Sequence, residues 1–262
     1  MAERPLFYPA RFRDAARYYT TGRPAYPKLL ARRVADLVNL AGENVLDLGT
    51  GPGFLAIDFA ALANTVTALD PSPEMLAAAS GNADRARVHI KFVQGSSYDL
   101  EGHLGRFKLV TIGRAFHWMD RKATLETLDR MLPSGGAIAL FGERYPNVPA
   151  NAWHREFQTI VDAYSVEDPA RPLIRANTSH EAVLLDSAFS QLERVSVIEA
   201  RETPVERFVD RALSYAATWH GRPGSREKDL AVDIQRALAP YADATGQVRE
   251  VLEGQALIAR RP

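Results

Sequence analysis

The chain has 262 residues, 46% apolar and 24% charged, enough to bury a sizeable core and unlike the composition of a disordered segment. Lysine plus arginine equals aspartate plus glutamate at 32 each, which removes any global field directed at nucleic acid or an anionic membrane. The absence of cysteine excludes disulfides, thiolate catalysis and thiolate-bound metal, and fits a reducing compartment.

Residues 1 to 27, MAERPLFYPARFRDAARYYTTGRPAYP, are rich in Arg, Tyr and Pro and carry no long periodic segment. From Pro27 onward, Leu29, Leu30, Val34, Leu37 and Val38 recur at helical spacing, which predicts an amphipathic helix over 28–39. ENVLDLG (43–49) reads as a buried strand, 54–63 as a helix, TVTALD (65–70) as a strand ending in an acid, and 71–79 as a short helix. Strands follow at VHIKFVQG (88–95), FKLVTIG (107–113) and IALFG (138–142), the last preceded by a helix over 121–132 and the turn PSGG. Strand and helix alternate at the spacing of βαβ units, so the expected fold is α/β, with a doubly wound, mostly parallel sheet covered by helices on both faces.

After Tyr145 the rhythm changes. A helix is expected over 151–165, and the polar, proline-broken stretch SVEDPARPLIRANTSH reads as an insertion or lid. LERVSVIE (192–199) reads as a strand, and Thr203-Pro-Val-Glu as a helix start with Thr203 as N-cap, Pro204 at N1 and Glu206 at N3. A helix over 228–239 and a last strand over 253–260 complete the chain. No secretory signal and no apolar run of membrane-spanning length (roughly 18 residues) is visible, so a soluble cytoplasmic protein without a membrane partner is expected.

The chemistry concentrates in VLDLGTGPG (45–53), a strand that breaks into glycines before a helix. Glycines in that context let a ligand approach the backbone and a helix N-terminus. A phosphate-binding P-loop requires Gly-Lys-Ser or Gly-Lys-Thr at its end, whereas Gly53 is followed by Phe54 and Leu55. The dinucleotide fingerprint, counted from Gly49 and Gly51, places Phe54 where its third glycine or alanine belongs. Asp47 beneath the loop repels an anion and suits an ammonium group, directly or through water. Asp70, at the end of the next strand, stands where two ribose hydroxyls can be accepted. The ligand so described has a ribose and an amino-acid cation but no pyrophosphate.

VLDLGTGPG with Asp70 resembles the cofactor loop of class I S-adenosylmethionine-dependent methyltransferases, whose fold is a seven-stranded Rossmann-like sheet. The resemblance covers about residues 20 to 145 and implies S-adenosyl-L-methionine as cofactor. It implies that Gly49, Thr50, Gly51, Gly53 and Pro71 approach the cofactor, that Asp47 serves its methionine end, and that Asp70 holds the ribose. Met75 resembles the apolar residue that packs the adenine face, and Ser96 and Ser97 fall where the family contacts the adenine amine. Arg114 and Ala115 match the site whose backbone meets the methionine moiety. RAFHW and RYYTTGRPAYP resemble a small-molecule branch that includes trans-aconitate methyltransferase-like proteins, in which the amino-terminal segment folds over cofactor and substrate.

On that basis His117, just beyond the fourth strand, is the expected catalytic base or substrate orienter, since an imidazole near neutral pKa suits proton removal. Tyr18, Tyr19, Arg23, Tyr26, Phe116, Trp118 and Glu143 are expected on the substrate side. Residues 1 to 35 hold eight Lys or Arg against two Asp or Glu, so Arg23 or a neighbour can pair with a carboxylate. RAFHW replaces the Asn/Asp-Pro-Pro-aromatic motif of enzymes that methylate base amines or glutamine amides, and His117 with Asp120 lacks a third metal ligand. The expectation is methyl transfer to O or N of a small molecule, with no nucleic acid and no metal, as monomer or dimer. A non-catalytic cofactor-binding partner, a macromolecular methyltransferase and an NAD-linked oxidoreductase are the alternatives. The chain then divides into an amino-terminal segment over the site (1–27), a cofactor-binding core (28–145), a helical insertion or lid (146–190) and a carboxyl-terminal completion of the sheet (191–262).

Overall fold

The computed structural model describes residues 16–100, 104–165, 179–215 and 226–262. The first fifteen residues, His103, residues 166–178 of the expected lid, and His220 lie outside the described residues.

In chain order the described elements are α1 (Ala16–Gly22), α2 (Lys28–Leu37), β1 (Asn44–Leu48), α3 (Phe54–Ala60), β2 (Thr65–Asp70), α4 (Pro73–Ala86), β3 (Lys91–Gln94) and β4 (Leu109–Gly113). A 3-10 turn at Phe116–Trp118 leads to α5 (Arg121–Met131), β5 (Ala137–Arg144), α6 (Trp153–Ala163), α7 (His180–Leu185), β6 (Gln191–Pro204), α8 (Val205–Leu213), α9 (Glu227–Leu238) and β7 (Gln247–Arg260). The strands form one seven-stranded sheet in the order β3-β2-β1-β4-β5-β7-β6. β1 to β5 pair in parallel and β7 runs antiparallel to both neighbours, the mostly parallel Rossmann-like sheet expected from the alternation. Strand order reverses between β1 and β4, which opens a crevice at their carboxyl ends, the place where such sheets bind ligands.

Successive strand residues point to opposite faces, so the apolar runs feed two cores. Val45, Leu109, Ala139 and Ile258 pack with Leu30, Val34, Leu55 and Phe59 of α2 and α3. Leu46, Val110, Ile138 and Leu257 pack on the other face with Leu125 and Leu128 of α5 and Leu184 of α7.

A third cluster, Trp153, Phe157, Phe208, Leu230, Ile234 and Val248, joins α6, α8 and α9. The register explains its place: Arg144 at the end of β5 pairs with Glu253, so residues 247–252 of β7 project past the carboxyl edge with their β6 partners 199–204. Both strands are therefore longer than expected at 192–199 and 253–260, since charged residues such as Glu199, Arg201, Glu202, Arg249 and Glu250 interrupt the apolar pattern that hydropathy reads.

Two further differences have local causes. α4 runs to Ala86, beyond the expected 79, because Ser72 caps its start by accepting from the Met75 N–H and Arg87 closes it in a left-handed conformation. Thr203 does not cap α8: it remains in β6 and donates its hydroxyl to Glu250 Oε1 at 2.6 Å, leaving Pro204 as the cap residue.

That Glu250 belongs to a buried network. Arg211 of α8, 2% exposed, donates to Glu250 Oε2 at 2.9 Å and Oε1 at 3.1 Å, to the Tyr145 hydroxyl at 2.8 Å, and through Nε to the Gly22 carbonyl at 3.2 Å. Gly22 lies so close that an added Cβ would stand 2.2 Å from the Arg211 backbone nitrogen. The carboxyl end of α1 is thereby seated on α8, which fixes the segment carrying Tyr19 and Arg23.

Candidate functional site

β1 ends at Leu48 and the chain turns through Gly49, Gly51 and Gly53 at φ of 71°, 53° and 85°. A side chain is strained at each of these angles. The three differ in what surrounds them. An added Cβ at Gly49 would lie 2.7 Å from the Ala115 Cβ and at Gly53 3.1 Å from the Ala79 Cβ, whereas Gly51 has open space around that position.

Asp70 ties this loop to the next strand: Oδ2 accepts from the Gly51 N–H at 2.8 Å and Oδ1 from the Ser72 N–H at 2.9 Å. Only 7% of it is exposed, and burial raises its carboxyl to about 6.

Asp47 braces the loop from beneath. Its Oδ2 accepts from the Thr50 hydroxyl at 2.6 Å and the Ala56 N–H at 3.2 Å, and its Oδ1 from the Thr111 hydroxyl at 2.7 Å. Burial raises its carboxyl to about 6 despite these donors. Its oxygens are turned inward and it borders a separate space of about 20 Å³, so of the two routes expected for Asp47 toward an ammonium group, direct or through water, this geometry favours the indirect one.

A cavity of about 1230 Å³ opens at the carboxyl edge of the strands. It exceeds the roughly 300–1,000 Å³ of ordinary ligand pockets, which leaves room for two molecules side by side. Among the expected cofactor residues, Gly49, Gly51, Asp70, Pro71, Met75, Ser96, Ser97, Arg114 and Ala115 line it. Thr50 and Gly53 do not, the first because its hydroxyl is held by Asp47 and the second because it packs against α4. Ser96 is engaged too: its N–H and hydroxyl donate to Asp99 Oδ2 at 2.7 and 2.8 Å, which hold the Asp99 carboxyl below its usual range. Asp99 itself lines the cavity and is the acceptor at that corner, a residue the sequence reading passed over although QGSSYDL displays it.

At the opposite end Tyr19, Arg23, His117, Trp118 and Glu143 line the cavity. Three other expected substrate residues do not line it. Phe116 is 2% exposed and packs its edge on His180, and Tyr18 joins the third apolar cluster. Tyr26 is 3% exposed and donates its hydroxyl to the Phe141 carbonyl at 3.4 Å. His180, Arg194 and Gln255 also line the cavity. Nothing local marks them, since α7 and the antiparallel pairing of β6 and β7 bring them there. His154 stacks on Tyr145 at 4.7 Å and does not line the cavity.

Burial, with His180, Arg23 and Arg121 adding positive charge nearby, lowers the His117 imidazole to about 4. An imidazole so held stays neutral through the physiological range and accepts or donates a hydrogen bond, which suits the orienting half of the expectation for His117. Titration of the imidazoles by NMR should find the His117 midpoint near 4, and a midpoint at the ordinary 6.5 would contradict this burial. Because the unfolded chain binds this proton and the folded one does not, His117 makes stability rise with pH between about 4 and 6.5.

Beside it Arg114 adopts φ of 56°, rare for a long side chain. Its Nη1 donates to Glu143 Oε1 at 3.0 Å and to the Pro24 carbonyl at 3.3 Å. Arg114 Nε, Glu143 Oε2 and Arg23 Nε are buried without partners among the described residues. The Arg23 guanidinium lies 5.1 Å from the Tyr19 ring centre and 4.1 Å from that of Tyr215. Such cation–aromatic contacts supply part of what water would otherwise give.

Residues 45–136 match the family model described as "Methyltransferase domain". An uncharacterized methyltransferase of Mycobacterium tuberculosis is 30% identical over 130 residues, 49% of this chain and 50% of that protein. A ubiquinone biosynthesis O-methyltransferase of Xanthomonas oryzae pv. oryzae is 33% identical over 109 residues, 41% of this chain and 46% of that protein. The chain thus spans about half the length of these curated relatives. Among solved structures, an S-adenosylmethionine-dependent methyltransferase from Thiobacillus denitrificans, in complex with S-adenosyl-L-homocysteine, superposes with a TM-score of 0.52. That likeness covers 95% of this chain and 97% of the other at 15% identity, and so concerns the fold.

Proposed function

We propose that this chain belongs to the class I S-adenosylmethionine-dependent methyltransferase superfamily, as the match of residues 45–136 supports, and that it transfers a methyl group to an O or N atom of a small molecule in the cytoplasm. The observation that carries the reading is the loop: open space over Gly51 beside a buried carboxylate, Asp70, at the wall of a cavity large enough for two ligands. These features fit a ribose-bearing cofactor without pyrophosphate. Gly49, Gly51 and Asp70 would hold its ribose and thioether end, Pro71, Met75 and Asp99 its base, and the backbone at Arg114 and Ala115 its methionine end. When bound, the cofactor supplies a methyl group already activated by sulfonium charge.

What remains for the chain is to bind, align and dry the acceptor. Tyr19, Arg23, His117, Trp118 and Glu143 surround the free end of the cavity and are the residues assigned to the acceptor. His117, neutral and backed by the Trp118 ring at 4.8 Å, orients a polar group of the acceptor. Among the described residues, α1 and α7, which bring Tyr19 and His180 to the cavity, are assigned to the roof. Among the described residues no helix is long and apolar enough to cross a membrane.

Labelled-methyl transfer to small-molecule extracts, with products read by mass, tests the reading. Small methylated products are expected. Transfer to none of them, alongside tight cofactor binding, would favour a non-catalytic cofactor-binding protein instead. The variant His117→Ala should lower turnover at least tenfold while leaving cofactor affinity within about twofold.

A further inference from the structure

Glu143 stands near the carboxyl end of β5, in the wall of the cavity, with 13% of its side chain exposed. One oxygen is fixed and the other is not. Oε1 accepts from Arg114 Nη1 at 3.0 Å, while Oε2 is buried with no partner among the described residues. A carboxylate oxygen left in that condition carries an uncompensated desolvation cost, which a ligand donor would recover. The arginine that holds Oε1 is itself kept in an uncommon left-handed backbone conformation and pinned to the Pro24 carbonyl, so the pair is clamped from two elements. Strain retained beside a cavity marks a position whose geometry matters.

Resting on the methyltransferase reading above, we propose that Glu143 Oε2 receives the donor hydrogen of the acceptor and takes its proton, so that the acceptor is an alcohol, phenol or amine rather than a carboxylate. The lone pair of the acceptor oxygen or nitrogen forms the new bond to the methyl carbon, the carbon–sulfur bond breaks with its electrons left on sulfur, and the O–H or N–H proton passes to Glu143 Oε2. An acceptor carboxylate would instead bring a second anion against an oxygen that has no donor to share. His117, which also lines the cavity, then serves orientation, while Oε2 of Glu143, without a partner among the described residues, takes the proton.

The same oxygen would equally satisfy the ammonium group of the cofactor, and the test separates the two sources. Glu143→Gln keeps an oxygen for Arg114 but cannot take a proton. Titration calorimetry of wild type and Glu143→Gln with S-adenosylhomocysteine is paired with labelled-methyl transfer to a panel of phenols, alcohols, primary amines and carboxylic acids. The expected result is affinity for S-adenosylhomocysteine within twofold, and transfer by wild type to hydroxyl or amine compounds that falls about 100-fold or more in the variant. The assignment is overturned by tenfold weaker binding of S-adenosylhomocysteine in the variant, which would place the contact on the cofactor. Undiminished transfer by the variant, products that are methyl esters alone, or no transfer to any hydroxyl or amine by a wild type that binds S-adenosylhomocysteine would each overturn it as well. Wild type that fails to bind S-adenosylhomocysteine would defeat the methyltransferase reading instead.

Discussion

Arg211→Ala is expected to destabilise the protein by about 3–5 kcal/mol, the range for removing one partner of a buried ion pair. Glu250, 1% exposed, would keep the Thr203 hydroxyl but lose both guanidinium bonds. The Tyr145 hydroxyl and the Gly22 carbonyl would lose their donor at the same time. Urea denaturation should show the midpoint falling in proportion. Replacing Arg211 and Glu250 together by apolar residues of similar volume should recover much of the loss, because no charge is then left buried alone. Gly22→Ala tests the same junction from the other side: its methyl group would meet the α8 backbone at 2.2 Å, so α1 must lift. A midpoint unchanged in Arg211→Ala would show that α1 and the β6–β7 extension hold together without this network.

Asp70→Ala should weaken binding of S-adenosylhomocysteine by about 100-fold or more, the largest effect expected of any change in the loop. Two losses coincide there. The proposed acceptor for the ribose hydroxyls disappears, and the Gly51 and Ser72 N–H groups lose the oxygens that set the loop against the start of α4. Asp70→Asn keeps an oxygen for one of them and should fall between. Titration calorimetry reads both variants, and wild-type affinity in Asp70→Ala would remove Asp70 from the ribose site. Asp47→Ala should act differently. It leaves the Thr50 and Thr111 hydroxyls and the Ala56 N–H facing an empty space, so its effect on affinity should be accompanied by a lower unfolding midpoint.

The sheet was legible because each buried parallel strand is a short continuous apolar run, as in NVLDL and LVTIG, flanked by helices of amphipathic spacing. The glycine loop was legible for a related reason: the backbone itself requires Gly49, Gly51 and Gly53 at positive φ. What the loop residues face was less so. The identity of Asp47 does not tell whether its carboxylate points up to a ligand or down to Thr111, a residue 64 positions away. In the same way His117 was visible as an imidazole but not as a buried one, with His180, Arg23 and Arg121 from other segments adding to the burial that draws its proton affinity down. The outer halves of β6 and β7 escaped because ladder pairing, not hydropathy, holds residues such as Glu199, Arg201 and Glu202 in extended form.

Side-by-side titration of the wild-type chain with S-adenosylhomocysteine, NADH and ATP tests the central claim most directly, since the three differ in whether a pyrophosphate or polyphosphate must sit over the glycine loop. The account predicts that S-adenosylhomocysteine binds at one site per chain and far more tightly than either phosphate-bearing nucleotide. Preferential binding of NADH or ATP, with S-adenosylhomocysteine ignored, would contradict it.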